Sequence, residues 1–189
     1  MILEQLYKRN TNPNLYEEQV NRQNCGSFAL NIDGWYCPYI EDDEDVAEDD
    51  YLWKYTEYER LMWIEEMVRE GRAREDVMDC VIERDFEFIL KTCPWLESID
   101  EDEIEDTDRV IAYRLSMTIP DEREEFDVDN DMDFHFRVFK DGEWWEKNGN
   151  GPIHRVEDPD CDVWEVEDWL VYDGPVRYAR FKEDVCLHL

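Results

Sequence analysis

Asp133-Phe134-His135-Phe136-Arg137-Val138-Phe139-Lys140-Asp141-Gly142-Glu143-Trp144-Trp145-Glu146-Lys147 runs as two alternating segments on either side of an Asp-Gly dipeptide. Alternation of period two marks a strand, and Asp-Gly tolerates the positive backbone angles of a tight hairpin turn. The stretch therefore predicts two antiparallel strands, Phe134 to Phe139 and Glu143 to Lys147. Upstream, Val110 to Met117 has strand character, and downstream so does Val176 to Lys182. Val163 to Tyr172 fits neither helix nor strand clearly.

Before residue 95 the period changes. Tyr58, Leu61, Met62, Ile64, Met67 and Val68 recur at three- and four-residue spacing and Gly71 supplies a stop, which predicts an amphipathic helix from Thr56. A second helix follows from about Arg74 to Lys91, with Val77, Met78, Val81, Ile82, Phe86, Ile89 and Leu90 on its apolar face and Pro94 ending it. Joined at Gly71-Arg72, the two form an αα-hairpin. Residues 1–24 are polar and predict an irregular lead-in, while 41–50, with eight acids in ten positions, and 97–108 predict solvated acidic loops. The expected architecture is one α+β domain over 1–189, with a helical N-terminal half and an antiparallel sheet in the C-terminal half.

Composition excludes some functions. The 189 residues hold 52 Asp and Glu against 20 Lys and Arg, a net charge of −32, so direct binding to nucleic acid or to an anionic membrane surface is disfavoured. A hydrophobic fraction of 42%, with 8 Trp, 10 Tyr and 8 Phe, predicts a folded chain. Three uses of the charge remain: solubility at high salt, a partner with a strongly basic face, or mimicry of nucleic acid. Abundant Trp and Cys fit the first poorly. No apolar run approaches the ~20 residues of a membrane span and Met1 to Gln5 lacks signal-peptide character, which predicts a cytoplasmic protein. Like charge argues for a monomer. The six cysteines are scattered without a CxxC pair, so neither a disulfide nor a zinc site is expected. Asp127 to Asp133 alternates acids, but Met132 and Val138 stand where an EF-hand needs Gly and Glu. No metal or cofactor is expected.

Reactive chemistry centres on Cys25. It precedes Gly26-Ser27-Phe28-Ala29-Leu30, a short apolar stretch of helical character that Asp33-Gly34 stops, and His135 lies on a later strand. A helix N-terminus and an imidazolium neighbour can lower a thiol from its usual pKa of ~8.5 to give a nucleophile at neutral pH. The hairpin at Asp141-Gly142 carries Glu146 and Asn148 toward His135, and either could orient the ring; Glu146 is the first choice. Gln19, or Gln23 in competition with it, would help to stabilise an oxyanion. Trp35, Tyr36, Tyr39, Trp144 and Trp145 could line a substrate cleft, or pack in the core. His154 and His188 have no ligand neighbours in sequence and predict surface or packing roles.

Asn24-Cys25-x-x-x-Ala29-Leu30, with Asp133-aromatic-His135-aromatic and Asp141-Gly142-x-Trp144 followed by Lys147 and Gly149, resembles poorly characterised bacterial and phage proteins of papain-like (NlpC/P60-like) fold. The resemblance implies a cysteine hydrolase or acyl-transferase acting on an amide, isopeptide or thioester bond of a peptide or protein substrate. In that role Cys25 attacks, His135 exchanges the proton and Glu146 or Asn148 orients the ring. The spacing of Gln19 likewise resembles the oxyanion glutamine of papain-like enzymes. One departure stands out, because Glu146 occupies the place of the family's second histidine. Two competing expectations stand beside it. One is a non-catalytic acidic protein, viral or bacterial, that mimics nucleic acid or caps a basic protein surface. The other is a papain-like frame that has lost its chemistry and keeps the charge as its function.

Overall fold

A computed structural model gives the fold and describes residues 23–32, 34–40, 55–118, 132–149, 151–157, 162–167 and 170–182. Three helices lie among them: α1 (Cys25–Leu30), α2 (Glu57–Arg69) and α3 (Arg74–Thr92). Strands β1 (Leu96–Ile99), β2 (Val110–Met117), β3 (Met132–Lys140), β4 (Glu143–Lys147), β5 (Ile153–Arg155) and β8 (Val176–Phe181) form one antiparallel sheet in the order β1-β8-β2-β3-β4-β5. The remaining two, β6 (Trp164–Glu167) and β7 (Leu170–Tyr172), pair as a separate two-stranded ribbon with a register shift between Glu165 and Glu167. The chain is thus α+β.

Local chemistry explains the elements. Thr56 Oγ1 accepts the Glu59 N–H at 3.2 Å and caps α2. The Asp141-Gly142 turn takes positive φ at both residues, 56° and 76°, and joins Lys140 to Glu143 as a two-residue hairpin. Strand parity then sorts side chains into two layers. Ile111, Tyr113, Leu115, Phe136, Val138, Ala179 and Phe181 face the helices and pack with Phe28, Ile64, Val81, Ile82 and Ile89 in the main core. Ala112, Arg114, His135, Arg137 and Phe139 occupy the alternate positions, where Ala112 packs with Trp164 and Tyr172 of the ribbon.

Several expectations are corrected here. The stretch 97–108 is not wholly a loop: Leu96–Ile99 is a strand and Glu101–Glu103 a turn of 3₁₀ helix. Leu96 and Ile99 are buried, and Arg180, in register with Glu97 on β8, binds its carboxylate at 2.8 Å, so cross-strand pairing offsets the acid repulsion that sequence alone suggests. This 3₁₀ turn among the strands also breaks the clean division into a helical half and a sheet half. The ambiguous segment 163–172 supplies both strands of the β6–β7 ribbon. The acidic run 41–50, Gln19 and the rest of the lead-in to residue 22, the alternating acids before Met132, and His188 lie outside the described residues. No helix among the described residues is long and apolar enough to cross a membrane.

Candidate functional site

The sequence-predicted site residues fall on two faces of the sheet. Asn24 caps α1, its Oδ1 accepting the Ser27 N–H at 3.0 Å and the Tyr36 N–H at 3.2 Å, while its Nδ2 donates to the Tyr36 carbonyl at 2.8 Å. This cap fixes Cys25 against β3. The thiol donates to the Phe134 carbonyl at 3.9 Å, and the backbone N–H groups of Phe136 and Gly26 are aimed at the sulfur. Close packing holds it there, since a Cβ on Gly26 would come within 3.0 Å of the Tyr36 ring. Burial pushes the Cys25 thiol up to about 12, and the charge of Asp133 adds to the effect against the backbone donors. On the same face, Lys147 is fully buried, donates to the Gly149 carbonyl, and is lowered by burial against the opposing influence of Cys25.

His135 is one residue from Phe136 on an extended strand, so it leaves the sheet on the other side. Its ring stacks on Tyr172 at 5.1 Å and meets Trp164 edge-on at 6.2 Å. His135 Nε2 donates to Glu146 Oε2 at 3.3 Å, Arg137 Nε donates to the same oxygen at 2.8 Å, and His154 Nε2 pairs with Oε1 at 3.0 Å. Burial lowers His135 below its ordinary value, so it is a neutral ring. Burial would raise Glu146, but the His135 hydrogen bond and the Arg137 charge outweigh it and hold the carboxyl at about 2.

The structure therefore joins His135 to Glu146 and leaves Cys25 out of hydrogen-bonding distance of either. Register extended past Arg137↔Glu146 would set Asn148 across from His135, but pairing ends there and the chain turns, Gly151 N–H donating to the Asn148 carbonyl at 2.6 Å. Gln23, the described one of the two candidate glutamines, donates to the Ile32 carbonyl at 2.7 Å and is buried. Of the aromatics named for a cleft or for the core, three lie in different surroundings. Tyr36 is fully buried with its hydroxyl on Thr92, Trp35 is 51% exposed, and Trp144 packs with Phe139 and Tyr178 on the opposite face. A cavity of about 200 Å³ beside Phe134 is lined by Tyr39, Glu57, Arg60, Leu61, Met132 and Asp133, without Cys25. The two oxygens of Glu146 each meet a different histidine, so the three groups face one another, and among the described residues no set of three potential ligands converges on a metal position.

Sequence reasoning overlooked Arg137 and His154 in this network. Arg137 was accessible through parity, since it shares a face with His135 and Glu146; His154 needed the pairing of β4 with β5, which no local pattern announces. The chain matches no protein-family model, no curated protein and no solved structure.

Burial and the raised pKa of Cys25 predict a poorly reactive thiol. Iodoacetamide at neutral pH is expected to alkylate the half-buried Cys80 and leave native Cys25 unmodified, with no change on His135→Ala. Peptide mapping by mass spectrometry reads the outcome, and labelling of Cys25 at the rate of Cys80 or faster would establish an activated thiol.

Proposed function

We propose that this chain is a non-catalytic acidic interaction protein that docks on a strongly basic protein surface, on a papain-like frame in which thiol chemistry is not assembled. The observation that supports the reading is where the charges sit. Arg60, Arg114, Arg137 and Lys147 are buried on internal carboxylates or carbonyls, and Arg74, Arg177 and Arg180 are tied to Asp173, Glu83 and Glu97. The carboxylates of Glu75, Asp76, Asp79 and Glu87 on α3, and of Asp100, Glu101, Asp102, Glu103, Glu105 and Asp106 beyond β1, are on exposed residues. Folding thus buries four cations, Arg60 and Arg137 together with the carboxylates of Asp85 and Glu146, and leaves the acidic runs of α3 and of the stretch beyond β1 to the solvent, a field that steers cationic partners and repels phosphate backbones.

The test is binding to a panel of purified basic proteins, against a disordered acidic polypeptide of the same length and charge. The folded chain is expected to bind at least one member about tenfold more tightly than the polypeptide does, with affinity falling steeply as salt rises. Equal binding by the polypeptide across the panel would leave no role for the folded surface and sink the reading. Cys25→Ser should bind as the parent does.

A further inference from the structure

We infer that the groove between α2 and α3 is the docking site for a basic amphipathic helix of the partner. The inference rests on the proposed acidic-surface function and adds its location and the form of the ligand. The groove has a volume of about 770 Å³ and is lined by Trp63, Asp79, Cys80, Glu83, Arg84 and Glu87. Asp79, Glu83 and Glu87 stand at four-residue spacing on α3, so their positions repeat about every 6 Å along one wall. On α2, exposed Glu59 and Glu66 lie four residues before and three after Trp63, which makes the other rim acidic. Between the rims lies the half-buried Trp63, and it already holds a cation: the Arg84 guanidinium lies over the Trp63 ring at 4.9 Å and over the buried Tyr55 ring beneath at 4.5 Å.

Two acidic rims around an aromatic floor complement a helix with an apolar stripe flanked by Lys or Arg. Its cations at i, i+4 and i+8 would follow the same 6 Å repeat as Asp79, Glu83 and Glu87, and shallow helix crossing angles keep such rows in step. A phosphate-like row alone would have no use for the Trp63 floor. Asp79 and Glu87, at the two ends of the row on α3, are the positions for charge reversal.

Cys80 provides a local reporter because it lines the groove as a free thiol. The probe is a synthetic helical peptide of about 20 residues with Lys at four-residue spacing beside a leucine stripe, and its control has the same composition in scrambled order. The helical peptide is expected to slow Cys80 alkylation about tenfold, and Asp79→Lys with Glu87→Lys to weaken its binding by about tenfold or more. Asp102→Lys with Asp106→Lys makes the same change in net charge away from the groove, and should weaken binding less than about threefold. Equal loss in both double variants, or a scrambled peptide that binds as well, would overturn the groove while leaving the acidic-surface reading standing. Failure of every basic probe to bind the parent chain at low salt would remove both.

Discussion

Asp85→Ala is expected to lower unfolding free energy by roughly 3 to 5 kcal/mol, the largest single-residue effect on stability foreseen for this chain. Asp85 is fully buried where α3 meets the sheet, and one carboxylate serves four donors. Arg60 binds it twice, Nε at 2.9 Å and Nη2 at 2.8 Å, while the hydroxyls of Tyr55 and Tyr113 donate to it, the latter at 2.5 Å. Removing the acceptor strands the Arg60 guanidinium, which is 5% exposed, and two buried phenols. The cost comes mainly from the orphaned charge, so Asp85→Leu combined with Arg60→Met should recover a substantial part of it. Urea denaturation of the three proteins decides the matter. A loss below about 1 kcal/mol in Asp85→Ala would mean that solvent reaches Arg60 and that the cluster is not sealed.

Glu146→Gln is expected to cost about 3 kcal/mol at neutral pH and to change the shape of acid denaturation. The carboxyl is held at about 2 in the fold, below its ordinary 4.5, because His135 and Arg137 outweigh the effect of burial. Its contribution is therefore complete above pH 4.5 and is lost as the pH falls through about 2. His135 acts in the same direction for another reason. Burial lowers its pKa from 6.5, so the unfolded chain takes up protons first and stability declines once the pH drops below 6.5. Relief of repulsion among the many carboxylates opposes both trends, but it is common to parent and variant and cancels in the difference between their stability curves, which keeps the Glu146 contribution and its upward pull on His135. That difference should shrink between pH 4.5 and 2; a gap unchanged across the window would show that Glu146 gains nothing from its neighbours in the fold.

The hairpin at Asp141-Gly142 was legible because its chemistry is local: two residues that accept positive φ, flanked by alternating side chains. The α2–α3 hairpin was legible for a similar reason, in apolar spacing and a glycine stop. β1 was hidden beneath its acids, since what admits Glu97 to a strand is Arg180, 83 residues away on β8. His154 escaped notice for the same kind of reason, as its link to Glu146 depends on β5 joining the sheet beside β4.

Sequence by itself determined the α+β class, the central strands, the two long helices and the excess of negative charge, because each follows from spacing or composition. Only the tertiary structure decided what Cys25 and His135 are to each other. Both touch β3, but the thiol rests at its edge on the helix side, against Phe134 and Phe136, while the imidazole leaves the opposite face beneath Tyr172. Strand parity separates neighbouring side chains across a sheet, and which side a remote helix then covers is settled by packing of the whole core, which neither motif encodes.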